Sequence, residues 1–138
     1  TLTGIVTAPT APAGTNTTQI ATTAFVLANS SARPYKVYTA LISQSGTSAP
    51  VATVLENTLG GTVVWSRVDT GKYLATLTGA FTGNKTVAFF QSGFSNPGAP
   101  TMYSSDKDSD NAVRLYSLST GSYADQILSG QIEIRVYL

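Results

Sequence analysis

Alternation of side chains between two faces is the feature of this sequence that most constrains its fold. Across residues 35–43 the odd-numbered side chains share one face and the even-numbered side chains share the other, and residues 62–68 follow the same period of two. Turn-forming residues such as Asp69-Thr70-Gly71 interrupt these segments roughly every 8–12 residues. Seven or eight short strands of this kind predict an all-β fold, an antiparallel β-sandwich or a jelly-roll-like head.

The first quarter of the chain has a different composition from the rest. Residues 1–34 are dense in Thr and Ala and contain Pro9, Pro12 and Pro34, whereas the alternating pattern occupies residues 35–138. Proline disfavours helix at its own position and at the residue before it. We therefore predict two domains, an extended linker with one short helix over residues 1–34 and a β-sandwich head over residues 35–138.

A capping pattern predicts where the short helix begins. Asn16 is a favourable N-cap residue, and Gln19 three positions later completes a capping box. The segment that follows, residues 20–29, is predicted to be the helix.

The same helix carries a possible packing seam. Ile20, Ala24 and Leu27 are spaced by four and three residues, as in the seam of a coiled coil. Isolated helices shorter than about 12–15 residues are marginal in water, so this helix needs partners. The seam either packs against its own domain or is shared between subunits.

Composition excludes several classes of function. The chain has no Cys and no His, which excludes disulfides, thiol nucleophiles, histidine-based catalytic dyads and the usual zinc sites. Charged residues make up 11% and the net charge is +1, without the basic cluster that nucleic acids require. No apolar run approaches the roughly 18 residues of a membrane-spanning helix. We therefore expect no nucleic-acid partner and no membrane insertion.

The acidic residues are the main candidates for chemistry. Asp106, Asp108 and Asp110 resemble the start of a calcium-binding loop. Asn111 stands where that loop needs Gly, and Ser117 stands where it needs a bidentate Glu. We interpret the cluster as a solvated loop with no metal, and a weak Ca²⁺ site is the alternative.

Nothing else in the sequence predicts catalysis. No serine lies in a G-x-S-x-G motif, and Glu133 is expected to pair with Arg135 on one strand face. We therefore predict no enzymatic activity and no cofactor, with a carboxylate-pair hydrolase as the remaining enzymatic alternative.

Aromatic residues divide into a predicted core and a possible binding surface. Six are expected mostly in the core: Trp65, Tyr73, Phe81, Phe89, Phe90 and Phe94. Four others are predicted as core or subunit-interface residues or, alternatively, as a sugar-stacking surface: Tyr103, Tyr116, Tyr123 and Tyr137.

Two polar segments are candidate recognition loops, residues 92–100 and residues 104–111. Loops held by a rigid sandwich often carry recognition. The second segment places Tyr103 beside Asp106, Asp108 and Asp110, which together offer a stacking ring and hydrogen-bond acceptors for a receptor. An inert surface loop is the alternative interpretation.

Two segments resemble phage virion proteins. Residues 8–26, APTAPAGTNTTQIATTAFV, lie within a segment over residues 2–26 that resembles the repeat of tail-fibre proteins from tailed phages and prophages. Residues 35–47, YKVYTALISQSGT, and residues 131–137, QIEIRVY, are similar to a small β domain in virion proteins of phages that infect Bacteroidetes.

This resemblance implies a virion location and the C-terminal tip of a homotrimeric tail or head fibre. Its helix would form the trimer seam, and its partners would be other virion proteins and a glycan or protein receptor on the host surface. Two alternatives stay open. One is a carbohydrate-binding or adhesin β-sandwich of a bacterial surface protein, and the other is a fibre-tip depolymerase that uses carboxylates.

Overall fold

The chain forms two compact units, Thr1–Pro34 and Tyr35–Leu138. The structure is a computed structural model that describes residues 9–12, 15, 22–30, 33–92 and 101–138. Within the described residues, no helix is long and apolar enough to cross a membrane.

The first unit contains helix α1, Thr23–Ser30. The Thr22 hydroxyl accepts a hydrogen bond from the Phe25 backbone N–H at 3.2 Å, and the Thr22 carbonyl accepts one from Val26 N–H at 3.0 Å. Thr22 is therefore the N-cap. The helix begins at Thr23, three residues after the predicted start at residue 20. Asn16 and Gln19 of the predicted capping box lie outside the described residues.

Within its described residues, 35–92 and 101–138, the second unit contains nine strands. They are β1 Tyr35–Gln44, β2 Val51–Asn57, β3 Val64–Asp69, β4 Lys72–Thr76, β5 Thr86–Ser92, β6 Thr101–Ser109, β7 Ala112–Ser119, β8 Ser122–Tyr123 and β9 Ile127–Tyr137. All strand pairs are antiparallel.

These strands form two sheets that pack face to face. Sheet A has the order β2-β1-β9-β5, and sheet B has the order β3-β4-β7-β6 with β8 beside β7. The predicted all-β fold with an antiparallel sandwich is confirmed. Strands β1 and β9, the first and last of the unit, pair at the centre of sheet A, where Tyr35 lies opposite Tyr137.

One side of each strand supplies the core between the sheets. In β1 the even-numbered residues Tyr38, Ala40 and Ile42 are buried, whereas Leu41 points outward. The largest fully buried side chains of the second unit include Tyr38, Tyr73, Phe81, Leu115, Ile127, Ile132 and Ile134. Trp65 donates its indole N–H to the Tyr38 hydroxyl at 3.1 Å, which satisfies both polar groups inside the sandwich.

The predicted loop over residues 104–111 is wrong, because strand β6 continues through Ser109. Its side chains alternate between half-buried positions such as Ser105 and Lys107 and exposed positions such as Asp106. The strand lies at the edge of sheet B, and edge strands tolerate charged side chains that face water. The other predicted loop falls mainly on residues 93–100, which lie outside the described residues.

Candidate functional site

The three aspartates of the predicted site lie along β6 and the turn that follows it. Asp106 and Asp108 are exposed, and the Asp108 carboxylate forms an ion pair with the Arg114 side chain of β7. The Lys107 ammonium donates to Asp110 at 2.6 Å and holds the pKa of the Asp110 carboxyl below its usual range. Asp108 and Asp110 are thus each paired with a basic side chain. Among the described residues, no group of three or more acidic side chains is placed to hold a metal ion.

Tyr103 is not brought together with these aspartates. Its hydroxyl donates to the Gln126 carbonyl at 2.9 Å, and its ring packs against Phe90 with centroids 5.0 Å apart. Alternation along β6 turns Tyr103 towards the sandwich interior and Asp106 towards water. In a strand, the odd-numbered Tyr103 and the even-numbered Asp106 and Asp108 must lie on opposite faces, and this is the sequence signal that distinguishes them.

Other aromatic rings lie on the same outer surface as Asp106 and Asp108. The rings of Tyr116 and Tyr123 are 5.9 Å apart, and the Lys72 ammonium lies 4.6 Å from the centre of the Tyr123 ring. We call this outer surface of sheet B the charged face, defined by Lys72, Asp106, Asp108, Arg114, Tyr116 and Tyr123. It combines acceptors, donors and aromatic rings within one sheet face.

The outer surface of sheet A has a different character. Leu41, Val87 and Phe89 are 44%, 41% and 52% exposed. Phe89, predicted as core, points outward because adjacent residues of one strand face opposite sides and Phe90 takes the inner position. We call this surface the apolar face, defined by Tyr35, Leu41, Val87, Phe89, Glu133, Arg135 and Tyr137.

An ion pair lies at the centre of the apolar face. Arg135 donates to the Glu133 carboxylate, as predicted, and this hydrogen bond raises the pKa of Arg135. The Arg135 guanidinium also lies 5.0 Å from the Tyr35 ring centre and 5.2 Å from that of Phe89. Register places Glu133 between Thr39 of β1 and Phe89 of β5. An open groove of about 300 Å³ runs beside this row.

A second ionic cluster connects distant parts of the second unit. Asp125 accepts hydrogen bonds from Arg67 at 2.8–3.2 Å, from the Gly71 backbone N–H at 2.9 Å and from the Tyr73 hydroxyl at 2.8 Å. The Arg67 hydrogen bond is the main cause that lowers the pKa of Asp125 to about 2. Because both carboxylate oxygens are engaged, we assign this cluster a structural role. Sequence reasoning missed it, since Arg67 and Asp125 are far apart in the chain.

The predicted trimer seam is only partly within the described residues. Ala24 is exposed on α1, Ile20 lies outside the described residues, and Leu27 belongs to α1 although its side chain is not described. The seam therefore stays a prediction.

Comparison with known proteins gives no relative: neither a family model, a curated protein nor a solved structure matches this chain. The two outer faces are accordingly interpreted from their own geometry.

Proposed function

We propose that this chain is a structural, non-enzymatic virion protein, the C-terminal tip of a homotrimeric phage tail or head fibre that attaches the particle to the host surface. The resemblance of residues 2–26 to tail-fibre repeats supports this proposal. The proposal makes other virion proteins and a host-surface glycan or protein receptor its partners.

The structural observation that carries the proposal is the contrast between the two outer faces. An antiparallel sheet with one side in water normally places polar residues on that side. On the outer surface of sheet B, charged side chains occupy β4, β6 and β7, and the exposed apolar residues Val64 and Val68 lie on the edge strand β3. The apolar face instead exposes Leu41, Val87 and Phe89 around one ion pair. Exposed apolar patches mark interaction sites. A fibre tip needs both kinds of surface, one for assembly and one for recognition.

The charged face suits a receptor that carries many hydroxyl groups. Tyr123 is 46% exposed, and the carboxylates of Asp106 and Asp108 lie on the same face. Tyrosine offers an apolar ring with a polar tip, and carboxylates accept hydrogen bonds from hydroxyl groups. We place the attachment surface here, with Asp106 and Asp108 retained from the sequence prediction and Tyr123 in place of Tyr103.

Light scattering on the full chain tests the assembly state. We expect a particle of three times the 14.4 kDa chain mass at micromolar concentration. A monomer would contradict the fibre proposal and would favour the alternative, a carbohydrate-binding or adhesin module of a bacterial surface protein.

Binding of the purified chain to host cells tests attachment. The double variant Asp108→Ala/Tyr123→Ala is expected to lose cell binding while it keeps its assembly state and melting temperature. Glu56→Ala, which removes an acidic side chain from sheet A, is the control and is expected to bind like the wild type. Undiminished binding by the double variant would remove the charged face from the proposal. Shortening of a host capsular glycan on incubation would instead support a depolymerase.

A further inference from the structure

We infer that the apolar face of sheet A is the surface through which copies of this chain pack against one another. The inference rests on the proposed fibre function for the number of copies, and it deepens that function by assigning the assembly surface to particular residues. The occupant of this face is a second copy of the same chain.

The size of the face fits a subunit interface. Strand β1 has ten residues, and sheet A has four strands. With about 3.3 Å per residue and about 4.8 Å between strands, the sheet presents a surface of roughly 600 Å². A stable interface buries about 800 Å² on each partner, which is the same order. The face alone is therefore smaller than a typical interface, and exposed side chains at its edge, such as Val51 and Leu55 of β2, would add to the contact area.

The composition of the face also fits an interface between copies. Aromatic residues and Arg are enriched at protein interfaces. Here Arg135 lies over the rings of Tyr35 and Phe89, and the aromatic rings of Tyr35 and Tyr137 are 5.3 Å apart. These side chains already hold one another in place, so association costs little additional side-chain ordering.

The charges on the face are self-complementary. Glu133 and Arg135 are paired with each other, so the centre of the face carries one charge of each sign. A second copy of this face can place its Glu133 beside Arg135 of the first copy. Two copies of the charged face would bring Lys72, Asp106, Asp108 and Arg114 together, and the exposed apolar residues of that sheet surface, Val64 and Val68, lie on its edge strand β3.

Apolar exposure continues to the edge of the sheet. In β2, one of the two edge strands of sheet A, Val51 is 69% exposed and Leu55 is 61% exposed. An edge strand with exposed apolar side chains is prone to contact another chain. A neighbouring copy would cover this edge together with the apolar face.

Replacing an exposed apolar residue by Glu on each face of the full chain provides the test. Phe89→Glu and Val87→Glu place a carboxylate on the apolar face, whereas Val64→Glu and Val68→Glu place one on β3 at positions of similar exposure. Sedimentation over a range of concentrations measures the chain concentration at which half of the trimer is dissociated. We expect that concentration to rise about 100-fold for Phe89→Glu, because a carboxylate buried in an interface without a partner is costly. The β3 variants are expected to assemble like the wild type.

Cysteine labelling gives a second measurement that does not depend on the folding of a charged variant. The chain contains no Cys, so a single substitution creates a unique reactive group. Gln91→Cys lies beside the apolar face, opposite Gln131 in the register, and Val64→Cys is the control on sheet B. We expect Gln91→Cys to react several-fold more slowly with a maleimide in the assembled chain than in the diluted chain, and Val64→Cys to react at one rate.

The outcomes separate this inference from the proposed function. A trimeric wild type whose dissociation is unchanged by Phe89→Glu, with Gln91→Cys labelled at one rate, would overturn the inference and leave the fibre proposal standing. Dissociation by Val64→Glu instead would overturn the inference and assign assembly to sheet B. A monomeric wild type would overturn both, and binding of a glycan by that monomer in the groove beside Phe89 would assign the apolar face to a ligand.

Discussion

At the scale of single residues, Asp125 holds three separate backbone segments together. Its carboxylate contacts Arg67 of β3, the Gly71 turn and Tyr73 of β4, while Asp125 itself precedes β9. Only 14% of the Asp125 side chain is exposed. Removal of the carboxylate would leave several donors without their acceptor. That loss costs more free energy than one average hydrogen bond contributes to stability.

We expect Asp125→Asn to lower the free energy of unfolding by about 2 kcal/mol at neutral pH. This value follows from the lowered pKa of Asp125, because each pKa unit corresponds to about 1.4 kcal/mol. The folded pKa is about 2 against an ordinary value of 3.8. The contribution is therefore complete above about pH 4 and is lost as the pH falls towards 2. Urea unfolding at several pH values measures it. Asp69→Asn, which alters an exposed ion pair with Lys72, is the control without a measurable change. Equal stability of Asp125→Asn and wild type at pH 7 would contradict the assigned role.

Gly71 is the position where the backbone most requires glycine. Its φ is +62°, and an added Cβ would overlap the Ser117 carbonyl oxygen and lie 2.6 Å from the Ala124 nitrogen. Gly79 has φ of +67° with open space around the Cβ position. Gly79→Ala therefore measures the cost of the left-handed backbone alone, about 1 kcal/mol. We expect Gly71→Ala to have a markedly lower melting temperature than Gly79→Ala. Equal melting temperatures of the two variants would show that the overlap at Gly71 is relieved.

At the scale of elements, the sequence predicts a strand well when apolar side chains mark one of its faces. Strand β1 follows this pattern, and its bounds agree with the prediction to within one residue. Strand β6 does not, because residues 104–110 are all polar and the pairing with β7 uses backbone groups that every residue has.

The candidate site was predicted less completely than the fold. The aspartates were correctly identified as exposed polar groups, since carboxylates rarely lie in a core. The apolar face was not identified, because a pattern of alternation does not say which of two apolar sides faces the second sheet. The neighbouring pair Phe89-Phe90 shows this: one ring must point outward, and only the packing of sheet B decides which.

The predicted helix seam has a direct test at this scale. We expect Leu27→Asp in the full chain to weaken trimer assembly more than it weakens the β unit, because it would place three like charges around one seam. Val26→Asp adds the same charge to the same helix at an exposed position away from the seam and is the control. Sedimentation measures assembly, and circular dichroism follows the strands. Unchanged assembly for Leu27→Asp would mean that α1 does not form the seam.

At the scale of the whole molecule, strand order is the property that local sequence leaves open. Strand β9 pairs with both β1 and β5, although β2 of sheet A and β3 and β4 of sheet B lie between β1 and β5 along the chain. Hydrophobic burial decides this arrangement only once both sheets are present, since the same alternating strands could pair in several orders. The sandwich class was therefore predictable, and its topology was not.

We expect the folded chain to be indifferent to divalent metal ions. Asp108 and Asp110 are neutralised by Arg114 and Lys107, so the acidic segment has little remaining negative charge to attract a cation. Differential scanning calorimetry with and without EDTA should give the same melting temperature. A lower melting temperature in EDTA that calcium restores would establish the weak calcium site as the correct alternative.

The central position of β1 has a mechanical consequence. A pulling force that enters the second unit at Tyr35 runs along a strand flanked on both sides, by β2 and by β9. Antiparallel hydrogen bonds lie perpendicular to the strand, so a pull along the strand loads many of them at once in shear instead of opening them one after another. A strand at the sheet edge would shear along one ladder, whereas β1 must shear along two. The unit therefore receives tension through a strand that is hydrogen-bonded along both of its edges.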